Sequence, residues 1–143
     1  MNKRTAPING QSGFTLIEVI AVLVIVGMLA AVAIPKYMDM QTAAAQNAVQ
    51  GALAAGASNV TMVYSENLLK GNPTTPAALK AALDAGGYTT VGDFTVTYTA
   101  NGTTGIDVDL ATAPSPISGQ VGNLTAEQKK KTVVYLVQAP GGP

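Results

Sequence analysis

Acidic side chains in the second half of the chain are the first candidates for chemistry. Asp107 and Asp109 lie on the same face of a strand-like segment, and we expect Asp93, at the start of the preceding strand-like segment, to be near them across a hairpin. Paired carboxylates can bind Ca²⁺ through their oxygens. No EF-hand spacing accompanies them, and the same pattern suits a solvated strand face. We expect that simpler role, with no metal ion and no other cofactor.

Residues suited to catalysis are scarce. The 143 residues include no His and no Cys, which removes the commonest general base, any disulfide and any thiolate site. There is no Ser-His-Asp set and no phosphate loop, so we expect that the protein is not an enzyme. The basic run Lys129-Lys130-Lys131 is short and the net charge is +0, so we expect a solvated turn and no nucleic-acid partner.

A single carboxylate, Glu18, interrupts an otherwise uncharged segment between Phe14 and Pro35. An acid in the first turn of a helix is stabilised by the helix dipole by about 0.3–1 kcal/mol. A carboxylate among packed apolar helices is costly unless a cation pairs with it. Glu18 is therefore either a first-turn acid or a charge that meets a cation on a neighbouring subunit and sets the register between apolar helices.

The apolar segment around Glu18 predicts a membrane-spanning helix over residues 14–35. Its length of roughly 20 residues corresponds to about 30 Å as an α-helix, the thickness of a bilayer core. Lys3 and Arg4 precede it, which is typical of an N-terminus held on the cytoplasmic side.

Two cleavage sites fit this arrangement. Cleavage after Ala31-Val32-Ala33 would make the segment a secretory signal and release a soluble binding protein. Cleavage after Gly13 would remove a polar leader, residues 1–13, and leave the helix attached. Glu18 within the apolar region and a helical pattern that continues beyond Ala33 favour the second site.

The segment GFTLIEVIAVLVIVGMLAAVAIP, which begins at Gly13, resembles the class III signal of type IV pilins and type II secretion pseudopilins. The resemblance implies that a prepilin peptidase cuts between Gly13 and Phe14 and N-methylates Phe14. It implies that Glu18 pairs with the Phe14 amine of a neighbouring subunit during filament assembly. It also implies that the helix between Gly27 and Pro35 can unwind in the filament, since both residues weaken a helix. The alternative is an ordinary kink, or a helix end at the membrane boundary.

The function implied by this resemblance is that of a structural subunit of a type IV pilus, a homopolymeric filament. Its partners would be the prepilin peptidase, an inner-membrane assembly platform with its ATPase, an outer-membrane secretin, and membrane lipid before assembly. The subunit would cross the inner membrane once and then move into a cell-surface pilus that serves adhesion, motility or a related role. A type II secretion pseudopilin is the alternative that shares this anchor.

A second resemblance covers Pro35 to Ser65, which is similar to the corresponding part of pilins of the mannose-sensitive haemagglutinin (MSHA) type. Most of those pilins carry a Cys pair near the C-terminus that closes a surface loop. This chain has no Cys, so the roles of that loop are not transferred to it.

The pattern after Pro35 predicts an α+β head domain over residues 36–143. A helix to about Leu69 carries an apolar stripe, and Gly71 follows its end. A short helix starts at Pro76, a hairpin turns at Asn101-Gly102, residues 114–123 form a loop, and a capped turn begins at Thr125. A strand over 132–138 completes an antiparallel sheet of three or four strands on the long helix. The stripe consists of Val49, Leu53, Ala57, Val60 and Tyr64.

Overall fold

The computed structural model describes residues 13–135. They fall into two compact units, of which the first ends at Met38 and the second begins at Asp39. The helix α1 (Leu16–Lys70) contributes residues to both units and passes Pro35 without ending. The predicted α+β fold with one long N-terminal helix is confirmed.

Local sequence determines both ends of α1. At the start, the Glu18 amide donates to the Thr15 hydroxyl (3.3 Å) and to the Thr15 carbonyl (3.1 Å). At the end, Gly71 adopts a φ of 69°, and the Asn72 amide donates to the Asn67 carbonyl at 2.8 Å. This is a Schellman-type C-cap, which requires a left-handed residue that glycine supplies without strain.

The sheet of the second unit has four antiparallel strands in the order β1-β2-β3-β4. The predicted hairpin is confirmed, with Asn101 opposite Gly105 and a left-handed Gly102 (φ 60°) in the turn. The short strand β1 was not predicted. The last strand begins two residues earlier than predicted, and residues 136–138 lie outside the described part of the chain. The strands are β1 (Thr90–Val91), β2 (Phe94–Asn101), β3 (Gly105–Thr112) and β4 (Lys130–Val134).

The core of the second unit lies between α1 and one face of this sheet. The helix and sheet approach closely at Gly56, where an added Cβ would lie 2.7 Å from Val108 Cγ1. Val49, Leu53 and Val60 of the predicted apolar stripe are buried, but Ala57 and Tyr64 are only half-buried. Gly56, which the stripe did not include, is buried. Fully buried side chains in this core include Val49, Val60, Val96, Ile106 and Val108.

Two shorter helices complete the second unit. The predicted helix is α2 (Pro76–Ala85), whose N-cap Thr75 accepts a hydrogen bond from the Ala78 amide at 3.4 Å. The prediction of a loop over 114–123 was wrong in part, because α3 (Ser118–Gly122) forms there. Ile117 precedes α3 and provides no side-chain cap, so no N-cap signal marks its start; the Val121 amide donates to the Ile117 carbonyl at 2.9 Å, and the Val121 side chain is buried.

The capped turn predicted at Thr125 is confirmed. The Gln128 amide donates to the Thr125 hydroxyl at 3.3 Å, and the Thr125 amide donates to the Gln128 side-chain oxygen at 2.8 Å. This reciprocal capping box opens the 3₁₀ turn Glu127–Lys129, which leads directly into β4.

Candidate functional site

The predicted cleavage site lies just before α1. Gly13 and Phe14 precede Leu16, the first residue of the helix, and Phe14 is 84% exposed. A peptide bond outside regular structure is open to a peptidase, because its backbone is not committed to helical hydrogen bonds. Cleavage at Gly13 and N-methylation of Phe14 stay predictions.

The first part of α1 exposes its apolar side chains. From Leu16 to Ile34, every Leu, Ile, Val and Met side chain is exposed. Within residues 13–135, α1 is the helix that is long and apolar enough to cross a membrane. An N-terminal signal sequence would have the same length and composition. An apolar surface of this size requires lipid or other apolar helices around it.

Glu18 lies in the first turn of α1, as the simpler of its two predicted roles requires. Its amide is capped by Thr15, and its carboxylate forms no ion pair or hydrogen bond within the described residues. Thr15 itself was missed as a cap, although Thr-Leu-Ile-Glu has the spacing of a capping box. The pairing of Glu18 with a neighbouring Phe14 needs a second copy of the chain and stays a prediction.

Gly27 and Pro35 both lie inside the continuous helix. A Cβ added at Gly27 would meet nothing within 4 Å, so no tertiary contact requires glycine there. Pro35 has no amide hydrogen, so the carbonyl of Ala31 loses its helical partner. These are the two weak points that the sequence indicated, and unwinding between them stays a prediction.

The expectation of a solvated face for the aspartates was wrong for Asp107. This carboxylate is only 4% exposed and is held by three side chains from β2 and β4. Lys130 Nζ lies 2.7 Å from Oδ2 and the Thr132 hydroxyl donates to Oδ1 at 2.6 Å. Asn101 Nδ2 donates to both oxygens, at 2.9 and 3.1 Å.

These contacts determine the ionisation of Asp107. Hydrogen bonds from Lys130, then from Thr132 and Asn101, lower the pKa of Asp107 to about 2, despite the opposing effect of burial. The same contact raises the pKa of Lys130. Asp107 and Lys130 therefore form a charged pair that joins β4 to the β2–β3 hairpin. We name these two residues, together with Thr132 and Asn101, the Asp107 cluster.

The structure does not bring the three aspartates together. Asp109 lies 4.0 Å from Lys130 Nζ, and Asp93 belongs to the turn between β1 and β2. Asp107 is opposite Thr99 in β2, so Asp93 is not across the hairpin from it as expected. In the described ranges, no group of three acidic, His or Cys side chains is placed to hold a metal ion.

The lysine run is exposed at Lys130 and Lys131, as expected, but only Lys129 lies in a turn, because Lys130 and Lys131 begin β4. Lys130 belongs to the Asp107 cluster, and Lys129 Nζ donates to the Gly122 carbonyl at 3.4 Å. Lys131 is exposed. The run therefore joins a 3₁₀ turn to a strand, and its three side chains have separate environments.

Comparison with known proteins identifies the N-terminal segment. The family model described as the prokaryotic N-terminal methylation motif matches residues 8–34. Fimbrial protein Q of Moraxella bovis is 41% identical over 87 residues, which are 59% of this chain and 52% of that protein. The type IV major alpha-pilin of Moraxella bovis is 47% identical over 58 residues, 41% of this chain and 36% of that protein.

A third relative is the type IV major pilin protein PilE1 of Neisseria gonorrhoeae, 49% identical over 57 residues, 40% of this chain and 34% of that protein. The matched part of the chain thus spans about half the length of these curated relatives, or less. No solved structure matches the chain. The chain carries the prokaryotic N-terminal methylation motif and is similar to type IV pilins and fimbrial proteins.

Proposed function

We propose that this protein is the structural subunit of a type IV pilus filament. The single observation that carries the proposal is an exposed apolar helix directly after a matching N-terminal methylation motif. Such a helix is stable in a membrane before assembly and among the same helices of other copies afterwards. The second unit would form the outer coat of the filament.

The pairing of Glu18 with Phe14 follows from the cost of burying a carboxylate. Assembly would surround Glu18 with apolar side chains from neighbouring helices, and an unpaired carboxylate there is unfavourable. Cleavage after Gly13 creates an amine on Phe14, and methylation leaves that amine able to carry a positive charge. A neighbour displaced along the axis by the distance that separates Phe14 from Glu18 would bring its amine beside Glu18.

Other parts of the proposal rest on similarity. The relatives are described as pilins and fimbrial proteins, which favours a surface pilus over a type II secretion pseudopilin. We propose a prepilin peptidase, an inner-membrane platform with its ATPase and an outer-membrane secretin as partners. We also propose that the subunit crosses the inner membrane once before assembly. We propose further that it acts in adhesion or motility without catalysing a reaction, and that among pilins it is most similar to the MSHA type.

N-terminal sequencing and mass measurement of the mature protein test the cleavage. We expect a chain that begins with methylated Phe14. A mature chain that begins at Ile34 would have lost the apolar helix, and it would support the secreted binding protein instead.

Substitution of Glu18 tests its role in assembly. We expect Glu18→Leu to insert into the membrane at the normal level but to form no filaments by electron microscopy of sheared surface material. Glu66→Leu is the matched control, because Glu66 lies on the same helix and pairs with Lys70 at the protein surface (2.5 Å). Filaments at the normal level from the Glu18 variant would refute the pairing.

A further inference from the structure

The turn between β2 and β3 contains a reactive dipeptide. Asn101 is the last residue of β2 and is exposed, and Gly102 follows it with a φ of 60°. The backbone nitrogen after an asparagine can attack the asparagine side-chain carbonyl. A following glycine leaves that nitrogen unhindered because it has no Cβ. Asn-Gly is therefore the sequence in which this reaction meets least steric resistance, and water has access to it here.

The side chain of Asn101 is not free to rotate. Its Nδ2 donates to Asp107 Oδ1 at 2.9 Å and to Oδ2 at 3.1 Å. The Asp107 carboxylate is itself held by Lys130 and Thr132. The amide must leave these contacts before its carbonyl carbon can face the Gly102 nitrogen, and hydrogen bonds to a charged group are the stronger kind.

We propose that Asn101 is a site of spontaneous deamidation, and that the Asp107 carboxylate slows this reaction by holding the side-chain amide. The Gly102 nitrogen forms a bond to Asn101 Cγ, the bond from Cγ to Nδ2 breaks, and ammonia leaves with the proton from the Gly102 amide. Water then opens the resulting succinimide at either carbonyl. The products are an aspartate or an isoaspartate at position 101, with no oxidant or reductant required.

Either product would weaken the Asp107 cluster. A carboxylate at position 101 would lie where Nδ2 now lies, about 3 Å from both Asp107 oxygens, and like charges at that distance repel. It would also compete for Lys130. An isoaspartate additionally lengthens the main chain at the hairpin turn, which disturbs the pairing of Asn101 with Gly105. Deamidation would therefore loosen the attachment of β4.

The chain contains an internal comparator, because Asn9 is also followed by glycine. The unprocessed chain, purified in detergent, is incubated at mildly alkaline pH with and without denaturant, and peptide mass mapping follows both asparagines. We expect the rate at Asn101, relative to that at Asn9, to rise roughly 10- to 100-fold in denaturant, the factor that one hydrogen bond to a charged group contributes. Equal relative rates in the two conditions would overturn the proposal.

Variants separate the carboxylate from the hairpin backbone. In the folded chain, Asp107→Ala should accelerate deamidation of Asn101 by a similar factor, and Asp107→Asn, which keeps one acceptor and the side-chain volume, should give an intermediate rate. Asp84→Ala is the control, because Asp84 is an exposed aspartate that pairs with Lys80 on α2. Should Asp107→Ala fail to fold, Asp107→Asn still decides. A rate at Asn101 in Asp107→Asn equal to that in Asp84→Ala would refute the restraint.

Discussion

Replacing Thr132 by valine removes one hydrogen bond from the Asp107 cluster and keeps the size and β-branching of the side chain. The Thr132 hydroxyl donates to Asp107 Oδ1 at 2.6 Å. Thr99 provides a matched control. Thr99 pairs with Asp107 from β2, whereas Thr132 pairs with it from β4. The Thr99 hydroxyl forms no hydrogen bond within residues 13–135. Both substitutions therefore place valine beside the same carboxylate.

The expected loss follows from the type of bond. A hydrogen bond to a charged group contributes about 1.5–3 kcal/mol to the free energy of unfolding. Thr132 is exposed and water can replace part of its contact, so we expect a value near the lower limit, about 1.5 kcal/mol. For a unit of about a hundred residues, this corresponds to a fall in melting temperature of roughly 6 °C. Thr99→Val should change the free energy of unfolding by less than about 0.5 kcal/mol.

The loss should depend on pH. The pKa of Asp107 is about 2 in the folded chain and about 3.9 in an unfolded one. A depressed pKa means that the stabilisation is present above about pH 4 and is lost as pH falls towards about 2. Because Thr132→Val raises the folded pKa of Asp107, the difference in stability between variant and wild type should shrink across this window.

Thermal unfolding of the full chain in detergent, followed by circular dichroism over that pH range, is the assay. Equal losses of stability in Thr132→Val and Thr99→Val near neutral pH would refute the stabilising role of the Thr132 hydroxyl. A difference between Thr132→Val and wild type that stays constant down to about pH 2 would show that the Asp107 charge is not involved.

Two further matched pairs test the core by the same unfolding assay. Gly56→Ala should lower the free energy of unfolding by about 1–3 kcal/mol, because its Cβ would lie 2.7 Å from Val108 Cγ1. Gly51→Ala is the control and should raise the free energy of unfolding by about 0.5–1 kcal/mol, because an added Cβ there meets nothing within 4 Å. Equal effects of the two substitutions would contradict the close approach at Gly56. Tyr98→Phe should lower the free energy of unfolding by about 1–3 kcal/mol, because it removes the 2.8 Å hydrogen bond from the Tyr98 hydroxyl to a backbone carbonyl. Tyr135→Phe should leave the free energy of unfolding unchanged, because the buried Tyr135 hydroxyl has no partner among the described residues. A larger loss of stability in Tyr135→Phe than in Tyr98→Phe would be the contrary result.

The N-terminal half of the fold was predictable because its signals are local. The apolar run, the helix that continues past Pro35 and the stop at Gly71 each depend on residues within a few positions of one another. The same is true of the capped turn at Thr125 and the Asn-Gly hairpin. The position of Glu18 in the first turn follows equally from its distance to the helix start.

The environment of the aspartates was not predictable in this way. Asp107 and Thr132 are 25 positions apart, and only the register of β3 with β4 places them together. Alternation places Ile106 and Val108 on the core face, where both are buried, but it leaves the opposite face to solvent by default. The two-residue strand β1 and the uncapped helix α3 also lacked a local signal, since each depends on its tertiary neighbours.

The sequence by itself determined the apolar helix, its single acid and the predicted cut before Phe14, because hydropathy, helix ends and a processing motif are properties of contiguous residues. The tertiary structure alone decided that Asp107 is buried and ion-paired with Lys130, and that the helix approaches the sheet closely at Gly56. The first depends on which strand lies beside which and the second on how the helix packs on the sheet, and both are set by many contacts between residues far apart in the chain.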